Sequence, residues 1–229
     1  GYQIAGIANR TTVADGNTWN HEHVALLARA LAHTEREGHR VARHLADYVL
    51  LVGGGGRDDL AKGPHIARIA NSVYRDVCPG DPTCMRSFGF VDGHRTPSAL
   101  MAASALYRLH SHGLVAGVGA DPTLFRHVFD SEFGMVRIFR VLNVSKESKD
   151  FVADPANRVC DVKGGWFCRG QYPPGLAKVL SKAKAFSQQE DFNKKKNSAK
   201  DAEDEKYFKQ YFEDMEEHDA EVNAQKKAP

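Results

Sequence analysis

The stretch Asp59-Leu60-Ala61-Lys62-Gly63-Pro64-His65-Ile66 sets a carboxylate, an ammonium and a branched apolar side chain three and four residues apart. On a helix those intervals bring side chains to one face, and Asp59 can pair with Lys62 for about 0.3 kcal/mol. A carboxylate is also favoured in a helix's first turn. Gly63-Pro64 interrupts the series. Proline fits a first turn but disturbs a helix interior. Lys62 is therefore expected just before the helix start, with Ile66 just inside it, and the spacing alone does not secure a shared face. The plainer reading of Ile66 is an ordinary core residue.

Other groups with chemical potential point to structure first. Gly53 to Gly56 follow an apolar run and precede a helical pattern, where a phosphate loop would lie. Neither the dinucleotide fingerprint nor the P-loop ending is present, so a tight turn is the simpler account. Gly117-Val118-Gly119 is weaker still. Among eleven histidines, His21-Glu22-His23 and His110-Ser111-His112 stand two apart. That spacing splits them between sides of a helix, and no H-E-x-x-H occurs. No metal set and no nucleophile–base arrangement is evident, so no catalytic residue is expected in this chain.

Four cysteines form two local pairs, Cys78 with Cys84 and Cys160 with Cys168, each in turn-rich sequence. Two short loops are the simplest of three connectivities. Reduced cysteines and a metal site are the alternatives, although the spacing departs from that of structural zinc. Disulfides would imply an oxidising compartment. Two N-x-S/T triplets occur, at Asn9 and Asn143. In such a compartment Asn143, in the loopier context, is the better glycosylation acceptor.

The elements that must position these groups follow from periodicity. A strand is expected over residues 9–15, then a helix capped by Asn17 or Thr18 with Val24, Leu27, Ala28 and Leu31 on one side. A second helix spans Glu37 to Leu45, and Ala46 to Val52 reads as a strand buried on both faces. Helices follow over Ile66–Val73 and Ser98–His110, a short helix or turn over Leu124–Phe133, and a half-exposed strand over Met135–Val141. Leu176–Phe186 is helical in pattern. The fold class is α/β and helix-rich: a small, mainly parallel sheet covered by helices, with an irregular disulfide-stapled periphery. The expected divisions are a core at 1–142, a loop-rich segment at 143–186 and a charged helical or disordered tail at 187–229.

Composition narrows the function classes. In 229 residues, 42% apolar and 26% charged is ordinary for a globular protein. The net charge of +2 divides into +6 over 1–186 and −4 over 187–229. That is short of the basic stripe of a nucleic-acid binder, so no nucleic-acid partner is expected. No run approaches a membrane span. The chain opens without Met inside an apolar stretch and reads as a piece of a longer protein.

Gly1-Tyr2-Gln3-Ile4, continuing through Ala8-Asn9-Arg10-Thr11 to Asn17-Thr18-Trp19-Asn20, resembles the start of the luminal domain in the catalytic subunit of eukaryotic oligosaccharyltransferase. In that family a W-W-D-Y motif stands immediately before. Asp59-x-x-Lys62-x-x-x-Ile66 is similar to the family's D-x-x-K-x-x-x-M/I motif, Met135 to Val141 to its V-R-I-Y/F strand, and Arg169-Gly170-Gln171-Tyr172-Pro173-Pro174 to its R-G-Q-Y-P-P segment. The likeness covers about residues 1–186 and is nearest the protozoan, kinetoplastid-like branch, in which the enzyme works as a single subunit.

The resemblance implies transfer of an oligosaccharide from a dolichol-linked donor to Asn of an N-x-S/T acceptor polypeptide, by an endoplasmic reticulum membrane enzyme whose luminal domain this would be. It further implies Mn2+ or Mg2+ and the catalytic carboxylates in a transmembrane half outside this chain. Asp59, Lys62 and Ile66 would then belong to the pocket for the Ser or Thr two residues after the acceptor Asn. Alternatives are a carbohydrate- or peptide-binding module with no enzymatic parent, and a nucleotide-binding domain using Gly53 to Gly56.

Overall fold

Asn20 begins the first long element: its Oδ1 accepts from the His23 N–H at 3.1 Å, satisfying a free donor at the start of helix α1, His21–Ala32. The expected caps are engaged earlier. Asn17 N–H donates to Asp15 Oδ1 and Asp15 N–H to Thr18 Oγ1, which closes a turn before the helix. The structure, a computed structural model, describes residues 1–18, 20–53, 59–92, 96–157 and 172–181. Ahead of α1, Gln3–Ile7 forms one wide π-helical turn. The strand expected over 9–15 is irregular chain instead. Asn9 takes a left-handed φ of 48°, and no described strand offers that segment a ladder.

Helix α2, Glu35–Leu45, folds back on α1. A Cβ at Gly38 would lie 2.3 Å from the Ala30 carbonyl oxygen, so only glycine allows this approach. Helix α3, Gly63–Val73, packs most extensively on α1. Its Ala67 and Ala70 are fully buried, as are Ala25 and Leu26 of α1. The helix expected over Ser98–His110 divides into α4, Ala99–Ala103, and α5, Ala105–His110. Ser104 causes the break: its hydroxyl donates to Met101 O and accepts from Tyr107 N–H, while Ala105 N–H donates to His33 O.

The sheet corrects the expectation most clearly. It has three strands in the order β1-β3-β2, with β1 at Tyr48–Val52, β2 at Phe125–Asp130 and β3 at Val136–Val141. Both pairings are antiparallel, not parallel. The segment expected as a helix or turn, Leu124–Phe133, is mostly β2. It joins β3 through a tight hairpin in which Ser131 N–H donates to Val136 O and Gly134 has φ 64°. A connection this short forces antiparallel pairing. Nor is β1 buried on both faces: Leu51 is buried, whereas Tyr48 and Leu50 are exposed. An apolar run reads the same whether one face or two are covered.

The inner face carries Leu51, Phe125, Phe139 and Val141, all buried. His39 of α2 stands edge-on to Phe125 and donates to Leu142 O at 2.7 Å. Helices α6, Lys146–Ala153, and α7, Pro174–Ser181, complete this side. Leu176 and Leu180 enter the core, and α7 packs on α2 and α6. The Cys78–Cys84 disulfide is formed, as expected. Cys160 and Cys168, Trp19, Gly54 to Gly56, Arg169 to Gln171 and the tail from residue 182 lie outside the described residues.

Candidate functional site

The start of α3 is tied to the end of β1. Val52 N–H donates to Asp59 Oδ2 at 2.6 Å, so this carboxylate anchors the turn into the helix. Among the ion pairs of the described residues none joins Asp59 to Lys62, contrary to the pairing that the spacing suggested. Lys62 has helical backbone angles, φ −82° and ψ −9°. Its carbonyl accepts from the Ile66 N–H at 2.9 Å. The helical path therefore passes through Pro64, which needs no N–H partner in a first turn. Lys62 and Ile66 lie one turn apart on the same side.

The Lys62 side chain is exposed and has no partner among the described residues. Ile66 is half-buried and packs on the core. Gly63, buried between them in sequence, sits against Phe88, Met101 and Leu106, which fix the floor. An exposed ammonium beside a partly covered aliphatic branch can receive a small group with a hydroxyl and a methyl.

Below this turn lies a group that periodicity did not reveal. His110, at the end of α5, is buried, and its Nε2 has no hydrogen-bond partner among the described residues. Burial pushes its imidazole below the usual value, the Asp59 carboxylate pulls it up and Arg137 pushes it down. Arg137 is on the inner face of the sheet, not the solvent side. It donates to the His110 and His112 carbonyls at 2.7 and 2.8 Å, and to both Asp130 oxygens at 2.8 and 3.1 Å. A cation at a helix C-terminus is favourably placed. The signal was available: Arg137, Phe139 and Val141 share parity along β3, hence one face.

The far end of α3 is more densely bonded. Asn71, fully buried, donates to Asp81 O and Pro82 O and accepts from Cys78 N–H. His21 shares a hydrogen bond with Ser72, and His23 donates to Val13 O. Arg29 grips Asp76 through two bonds of 3.2 and 2.6 Å. Burial works to raise the Asp76 pKa, but His33 and Arg29 outweigh it and hold the carboxyl well below the usual range. Burial pushes the Tyr172 hydroxyl up to about 12.

Gly1 lies against Asp15 and Tyr2 against Gly16, in the turn before α1, while Ser72, which His21 of α1 contacts, stands about 15 Å along the α3 axis from Lys62. No hydrogen bond or ion pair links Gly1 to Ile4 with the Asp59 to Ile66 stretch among the described residues. Asn143 is exposed at a turn after β3 with φ 53°. No three His, Cys, Asp or Glu side chains among the described residues stand close enough to share a metal ion. The antiparallel sheet also removes the parallel frame on which a Gly53–Gly56 nucleotide site would depend.

No family model matches the chain. Curated relatives do. It is 40% identical over 164 residues to the dolichyl-diphosphooligosaccharide–protein glycosyltransferase subunit STT3 of Saccharomyces cerevisiae, covering 62% of this chain and 23% of that protein. It is 44% identical over 79 residues to the corresponding stt-3 subunit of Caenorhabditis elegans, covering 32% of this chain and 10% of that protein. With subunit STT3A of Oryza sativa it is 31% identical over 162 residues, 62% of this chain and 20% of that protein. The aligned stretches thus span less than a quarter of these relatives. Along that shared stretch, the chain is related to the STT3 subunits of dolichyl-diphosphooligosaccharide–protein glycosyltransferase.

Proposed function

We propose that this chain is the acceptor-reading part of an oligosaccharyltransferase, facing the lumen of the endoplasmic reticulum. The enzyme moves an oligosaccharide from a dolichol-linked donor to the Asn of an N-x-S/T polypeptide. The observation that carries this reading is the pairing of a Lys62 ammonium, without a partner among the described residues, with Ile66 one helical turn on, on a turn anchored by Asp59.

In this reading Lys62 donates a hydrogen bond to the hydroxyl of the Ser or Thr two residues past the acceptor Asn. The uncovered part of Ile66 takes the Thr methyl, a contact worth at most about 0.8 kcal/mol. Asp59 holds the turn and does not touch the acceptor. Membrane attachment, the Mn2+ or Mg2+ ion and the reacting groups would come from parts of the longer proteins that this chain does not match.

The test uses the full-length protein, a lipid-linked oligosaccharide and an N-x-T peptide. Lys62→Ala should raise KM for the peptide severalfold with the fold intact by circular dichroism. An unchanged KM would remove Lys62 from the pocket. Binding of free glycans by this chain, with Lys62→Ala indifferent, would favour the carbohydrate-binding alternative.

A further inference from the structure

The chain carries an acceptor sequence of its own. Asn143-Val144-Ser145 sits where β3 gives way to α6, and Asn143 is exposed with a left-handed φ of 53°. Its backbone is held to α2, since the Asn143 carbonyl accepts from Arg43 Nε at 2.8 Å and Ser145 N–H donates to Arg43 O at 2.8 Å. Its side-chain amide has no partner among the described residues. A substituent on Nδ2 would therefore displace no hydrogen bond.

The position is also clear of the candidate pocket. Val141 pairs near the Asp47 end of β1, where Val141 N–H donates to Asp47 O, while Asp59 binds Val52 at the other end. The five residues of β1 alone separate these ends by about 13 Å.

We propose that Asn143 is N-glycosylated, an inference that rests on the luminal reading above. Asn143 Nδ2 forms a bond to the anomeric carbon of a lipid-diphosphate-linked oligosaccharide. The bond from that carbon to the diphosphate breaks, the lipid diphosphate leaves, and the amide proton passes to base or solvent. Folding sets the order of events. In the folded chain Ser145 Oγ caps α6, accepting from the Ser148 N–H. The hydroxyl that marks the sequence then serves the helix cap, and addition of the sugar before α6 forms avoids that competition.

The experiment takes the full-length protein from eukaryotic cells and treats it with peptide N-glycosidase in heavy-oxygen water. The tryptic peptide Val141–Lys146 is then read by mass spectrometry. The expected result is a heavy-oxygen Asp at position 143, lost in Asn143→Gln and in Ser145→Ala. It is kept in Ser145→Thr, which retains both the hydroxyl and the helix cap. Persistence of the label in Ser145→Ala, or an unmodified wild-type peptide, overturns the proposal. Oxidised Cys78–Cys84 alongside the unmodified peptide would leave the luminal reading standing, whereas reduced cysteines would remove both.

Discussion

At the C-terminal end of α3, polar side chains converge on one another: Asn71 on the Asp81 and Pro82 carbonyls, Arg29 and His33 on Asp76, with a disulfide beside them. At the N-terminal end one carboxylate, Asp59, secures the turn, and the Lys62 ammonium is left without a described partner. One helix thus has a braced end and an open end. Buried, mutually bonded groups hold a scaffold, while an exposed cation with an apolar neighbour keeps its capacity for a ligand. On the proposed function, the braced end is a foundation and the open end is the part that would read the acceptor.

Breaking the brace should have the largest effect. Arg29→Ala leaves Asp76 beside an unfilled cavity and should cost about 3 kcal/mol, seen as a lowered urea midpoint. A loss equal to that of an exposed substitution would deny the brace its role. Removing the disulfide with Cys78→Ser and Cys84→Ser together should cost about 2 kcal/mol, since the loop it closes is short. Neither change touches Lys62. Both should therefore lower thermal stability with little change in acceptor KM below the melting range.

Burial holds His39, His44, His110 and His112 below the ordinary imidazole value. The unfolded chain then binds more protons as pH falls. The stability these groups contribute is complete above about pH 6.5 and is lost progressively below it. The depressed Asp76 carboxyl contributes fully above about pH 4, and this contribution is lost on further acidification. Melting temperature should fall in two stages, and Asp76→Asn should weaken only the second. A melting temperature that is flat between about pH 7 and 5 would contradict the assignment of these histidines.

Much of the frame was legible in the chain. The periods of α2 and α3, the strand at Val136–Val141, the local Cys78–Cys84 pair and Pro64 in a first turn follow from spacing and proline chemistry. The hidden parts depend on partners distant in sequence. The antiparallel pairing of β1 rests on β3, some ninety residues later, and no local pattern encodes it. Arg137 looked solvent-facing because arginine usually is, yet the carbonyls of α5 and the Asp130 carboxylate give it a buried place. At the candidate site the order of Asp59, Lys62 and Ile66 was readable. That Asp59 binds Val52 rather than Lys62 was not, because a salt bridge and an anchor have the same spacing.

The most direct measurement concerns the open end. In the full-length protein, kcat/KM is determined for paired N-x-T and N-x-S peptides with wild type and Ile66→Ala, a truncation that avoids placing a charge against the core. If Ile66 covers the Thr methyl, the wild type should favour Thr by at most about fourfold, and Ile66→Ala should bring the ratio close to one. An unchanged Thr-to-Ser ratio in a folded Ile66→Ala protein would contradict the account.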